Sequence, residues 1–169
     1  MSHAQNKVRW CLDKAEREVK EHGRHRGLSK TKPDKEKARD FIRKAEHYLI
    51  ATDYLKKGNF SDISASTVFY SMYHCLLAIA AKFGYESRNQ ECTFALLYSL
   101  IEDKEIQFER ALLDKIASLD TDKTTEKTSA EIRELCQYGT SLSLKDDLYK
   151  ELFMLSQEVL AKTKTIIEQ

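Results

Sequence analysis

Arg88, Asn89 and Gln90 stand where a loop turns into a helical pattern. Free backbone N–H groups at such an end favour a phosphate or another anion. The alternative is local, with Ser87 or Asn89 simply capping the helix. A second cationic group is the run HGRHRGLSKTK, residues 22–32, which holds four positive side chains and two histidines. Arg24 and Arg26 at its centre are suited to an RNA backbone, since a basic arm needs no fixed fold to hold phosphates. The plainer reading of the run is a solvated linker. His22 and His25 have a metal-like spacing, but nothing beside them completes a ligand set, so no metal is expected. His74 lies in the most apolar stretch, where a lone histidine is either a proton carrier or, more often, a satisfied core group. Cys11, Cys75, Cys92 and Cys136 form no Cys-x-x-Cys pair and have apolar neighbours, so they are expected to be reduced core thiols.

The elements that must position these groups read as helices. The chain of 169 residues has Gly 5 and Pro 1, too few for the turns of a β-rich fold. A first helix is predicted over residues 5–22, with Val8, Cys11, Leu12, Ala15 and Val19 on one stripe. Residues 23–34 follow as an exposed linker. Asp34 caps a long helix over residues 35–57, with Phe41, Ala45, Tyr48, Leu49 and Leu55 inward, and Gly58-Asn59 ends it. Residues 63–83 form a helix apolar almost all round, capped by Ser61 or Asp62 and stopped by Gly84. Such a helix belongs at the centre of a bundle. The loop 85–89 leads to a helix carrying Cys92, Phe94, Leu96, Leu97, Leu100 and Ile101, and another is expected over 106–119. A polar segment, 120–129, precedes a short helix ending at Gly139. Residues 145–167 form the last long helix, with Leu148, Leu152, Leu155, Val159 and Ile166 on one stripe.

The expected fold is all-α, an antiparallel bundle of five to six helices with an additional N-terminal helix. Residues 1–34 read as N-terminal helix and basic linker, and 35–169 as the bundle. Charged residues make up 33% of the chain, yet the net charge is only +1, so any polyanion site must be a local patch. The first ten residues lack the apolar run of a signal peptide. The apolar stretch 72–83 is too short and too polar to cross a bilayer. The expected location is therefore cytoplasmic, with no membrane partner.

Three stretches together resemble the HEPN family. Residues 62–87, DISASTVFYSMYHCLLAIAAKFGYES, are similar to the family's helix of small residues with a paired aromatic, a Met-aromatic-His step and a closing glycine. Residues 87–97, SRNQECTFALL, resemble the next segment. Residues 132–139, IRELCQYG, fall where the family places an arginine followed four to six residues later by a histidine. The resemblance spans residues 35–167. It implies a bundle that dimerises around a shared cleft, with no cofactor. In some relatives that cleft cuts RNA without a metal. Others accompany a nucleotidyltransferase as toxin and antitoxin, or bind nucleotides.

Metal-free RNA cleavage needs a proton carrier titrating near neutrality and a fixed cation on the phosphate. By the resemblance Arg133 is that cation, and Tyr138 stands where histidine would be. A phenol with a pKa of about 10 is a poor base, and general acid–base help is worth roughly 10²–10⁴ in rate. The local alternatives are Arg133 paired with Glu131 or Glu134 and Tyr138 closing the core. Three functions follow: a module binding RNA or nucleotide, ranked first; a weak or relic metal-independent ribonuclease; and a structural dimer or adaptor without ligand.

Overall fold

The computed structural model describes residues 1–119 and 145–169. Among them are six helices and one two-stranded ribbon: α1 (His3–His22), β1 (Leu28–Lys30), α2 (Lys35–Lys57), α3 (Ser61–Lys82), β2 (Tyr85–Ser87), α4 (Gln90–Glu102), α5 (Arg110–Ser118) and α6 (Asp146–Glu168). The architecture is the all-α helical bundle expected from the sequence. The polar segment 120–129 and the short helix predicted to end at Gly139 lie outside the described residues.

α3 is the centre because no side of it is strongly polar. Val68, Met72, Cys75, Leu76, Ala78 and Ile79 are all buried. α2 packs most extensively against it, and small side chains let the two backbones approach. Ala38, Ala45 and Ser71 have no exposed surface, and Ser71 Oγ donates to the Ala45 carbonyl at 2.8 Å. Thr52 and Thr67 share a 2.7 Å hydroxyl contact across the same seam. α6 lies on both helices, antiparallel to α2. Arg39 holds Glu168 through two 3.1 Å hydrogen bonds at one end of that seam, and Lys56 pairs with Asp146 at the other.

Several boundaries differ from the sequence reading for identifiable reasons. α1 begins earlier because Ser2 and Gln5 form a reciprocal capping box. α3 also begins earlier, without a side-chain cap, and Ser61 is a buried helical residue rather than its cap. α5 is shorter, since Ile106 and Phe108 are buried without being helical. α2 ends at the expected Gly58-Asn59 pair, with Asn59 as the left-handed residue (φ 65°). Val19, placed on the inner stripe of α1, is 44% exposed.

Two corrections are larger. Cys11 and Cys92 are not thiols: they form a disulfide across 81 residues of sequence, fastening α1 to α4. Nothing in their spacing announced it, because the pairing depends on how α1 docks. Cys75 remains free and buried, and burial pushes its thiol up to about 12. The second correction concerns residues 23–34 and 85–89. Expected as a linker and a loop, they hold the strands β1 and β2, which pair antiparallel with Leu28 opposite Ser87 and Lys30 opposite Tyr85. By length and composition α3 could cross a bilayer, but half of its apolar window is buried in the bundle, as in a core helix.

Candidate nucleic-acid interface

The ribbon joins the two cationic groups that the sequence keeps some sixty residues apart. It is held at the C-terminal end of α3 and the N-terminal end of α2. Thr31 N donates to the Gly84 carbonyl at 2.8 Å, and Asp34 N to the Ala81 carbonyl at 3.0 Å. Gly84 is required there: its φ is +78°, and a Cβ would meet Thr31 O at 2.9 Å. Past the paired residues, Arg88 N donates to the Gly27 carbonyl at 2.9 Å, which sets Arg88 beside the loop carrying Arg24 and Arg26.

Within that loop exposure alternates. Arg24 and Arg26 are exposed, while His25 between them is half-buried with Nε2 3.0 Å from Ser29 Oγ. The Arg26 backbone N–H donates to Glu18 at 2.8 Å, which ties the loop to α1 and leaves the guanidinium out of the bond. The side chains of Arg24, Arg26, Lys30 and Lys32 have no carboxylate partner among the described residues and are exposed. Arg88 differs, pairing with Glu86 at 2.8 Å, and Lys37 approaches the same carboxylate at 3.7 Å. Burial pushes the Glu86 carboxyl up, but the Arg88 hydrogen bond and the charges of Lys37 and Arg88 outweigh it and hold it below its usual range. Two acids, Glu18 and Glu86, thus face a larger set of cations.

At the start of α4, Asn89 is occupied as the cap, its Oδ1 accepting Cys92 N at 2.9 Å. Gln90 opens the helix half-buried, and Glu91 already places a carboxylate in the first turn. Of the trio Arg88, Asn89 and Gln90, only the arginine adds to a cationic surface. Arg133 and Tyr138 lie outside the described residues. Among the described residues no three metal-ligating side chains converge.

A cavity of about 510 Å³ between α1, α4 and α5 holds more charge, but its groups satisfy one another. Lys7 pairs with Glu91 at 2.8 Å and Arg110 with Glu102 at 2.9 Å. Tyr98 donates to Asp114 at 2.6 Å, and burial, followed by that bond, pushes its phenol up.

His74 is not a core group. It lies on the solvent side of α3, and its Nδ1 contacts the Tyr70 carbonyl at 2.6 Å. Phe41 and Tyr48 on α2 and Tyr70 on α3 surround it, an assembly that the sequence reading missed because it depends on how the two helices dock.

No family model matches the chain, and no curated protein matches it.

Proposed function

We propose that this chain is a HEPN-like bundle that binds RNA or a nucleotide, with the cationic ribbon holding the phosphates. The observation that carries the reading is the Arg88–Gly27 backbone bond, which sets Arg88 beside the exposed Arg24 and Arg26. Three guanidiniums at one end of a nearly neutral chain form a local field suited to phosphates, which arginine can grip bidentately. Binding ranks ahead of cleavage because no histidine follows His74 in the sequence, and Tyr138 is a poor base. The reading includes a homodimer and, as in toxin–antitoxin pairs, a nucleotidyltransferase partner.

Anisotropy titration of a labelled single-stranded RNA tests it. Arg24→Ala, Arg26→Ala and Arg88→Ala should each weaken binding several-fold, whatever the base sequence, because phosphate contacts carry no sequence information. ATP or GTP competing for the ribbon should raise the melting temperature, as any ligand of the folded state does. Wild-type protein that binds neither RNA nor nucleotide would end the proposal.

A further inference from the structure

The groove between α2 and α3 begins beside the ribbon and carries groups of another kind. On α2, Lys37, Phe41, Lys44 and Tyr48 follow at spacings of four, three and four and so share one stripe. On α3, Tyr70, His74 and Leu77 do the same, on the one side of that helix left open to solvent. The His74 ring stacks on Tyr48, with centroids 5.1 Å apart and planes 25° from parallel. Phe41 stands 6.2 Å from His74, and Tyr70 stands 5.8 Å from Tyr48. Tyr70 is 43% exposed and Tyr48 and His74 are half-buried, so the row is partly open rather than sealed into the core. The Lys44 ammonium sits 5.5 Å from the centre of the Tyr48 ring and has no carboxylate partner among the described residues.

We propose that this groove is a stacking track for single-stranded RNA, taking bases on the Tyr48, His74 and Tyr70 rings and phosphates on Lys44 and the ribbon. The inference rests on the binding reading above and names its substrate class. Aromatic faces beside a cationic flank are what sequence-tolerant single-strand binding requires. A duplex hides its base faces and offers nothing for such rings. Charge points the same way. Neither the α2 stripe, continued through Ala51 and Leu55, nor the α3 stripe of Ile63, Ser66, Thr67, Tyr70, His74 and Leu77 contains an acid. From Lys37 to Tyr48 the helix rises about 16 Å, room for roughly two or three stacked bases. Burial first, and then the Lys44 charge, hold the His74 imidazole below its usual range, opposed by the hydrogen bond to the Tyr70 carbonyl. At neutral pH the ring is therefore an uncharged stacking face.

The test titrates a labelled 12-nucleotide single-stranded RNA, and a duplex of equal length, against wild type, Tyr48→Leu, His74→Leu and the pair Arg24→Glu with Arg26→Glu. Leucine keeps apolar volume and removes the ring, and circular dichroism verifies that each variant is folded. Should a leucine variant fail to fold, Tyr70→Ala on the exposed side takes its place. Single-strand affinity should fall about 5- to 150-fold in each ring variant, as expected for one lost stacked base, with duplex binding unchanged. The arginine pair should weaken both RNAs. Ring variants that bind single strands like wild type, while the arginine pair does not, would overturn the track and leave the ribbon standing. Wild type that binds no RNA overturns both. Ring variants that lose a dimer in sedimentation but keep their RNA affinity would assign the groove to a second copy and overturn the track as well.

Discussion

His74 is held by opposing influences, burial against its neighbours and the Lys44 charge on one side and a hydrogen bond from Nδ1–H to the Tyr70 carbonyl on the other. Burial, the largest of them, favours the uncharged ring. The sign for stability follows from linkage: a histidine with a depressed folded pKa stabilises the fold above its ordinary value near 6.5 and loses that contribution as pH falls through the folded value. The His74 ring proton should therefore titrate by NMR with a midpoint below 6.5. His74→Gln should flatten part of the stability loss between about pH 7 and 5, where an unperturbed histidine takes up its proton. A midpoint at or above the ordinary value would mean that the ring is solvated or paired with an acid. At this scale the sequence was legible only in part. It marked His74 as a proton carrier or, more often, a core group, because a helix apolar on most of its circumference conceals which side is left open. Only the docking of α2 and α6 decides that Cys75 is inside and His74 outside.

Among the elements, the long helices were readable because periods of three and four residues repeat over five turns and more. α2 has the predicted bounds, and the last helix differs by one residue at each end. The ribbon was not readable. Strands of three residues hold no period, and the signals around them, Gly27, Pro33 and Gly84, mark turns without naming a partner strand. The pairing of Leu28 with Ser87 exists because α2 and α3 form a hairpin whose open end brings the two segments together. The disulfide has the same origin. Its loop of 81 residues predicts a large entropic effect on the unfolded chain. Reducing Cys11–Cys92, or replacing both with serine, should lower unfolding free energy by about 2–5 kcal/mol in urea titrations. Hydrogen exchange should then rise first in α1, which the bridge fastens to α4. An unchanged urea midpoint after reduction would show that α1 docks without the covalent tie.

The molecule as a whole carries almost no net charge, so its electrostatics are a matter of distribution. Acids and bases on α2 and α6 neutralise one another across their seam, as Arg39 and Glu168 do, while Arg24, Arg26, Lys30 and Lys32 gather at the ribbon, with Glu18 bonded to the loop backbone and Glu86 paired to Arg88. The bridge also bears on the compartment, since disulfides are rare where glutathione keeps thiols reduced. Mass spectrometry after alkylation in intact cells should find Cys11 and Cys92 joined; a fully alkylated pair would mean that the protein works in its reduced form. The most direct measurement is the salt dependence of single-stranded RNA affinity. Each phosphate contact contributes about −0.7 to the slope of log K against log salt. Wild type should show a steep negative slope, and Arg24→Glu with Arg26→Glu a slope shallower by about 1.4, two contacts at roughly 0.7 each. Equal slopes for the two proteins would contradict the assignment of phosphates to the ribbon.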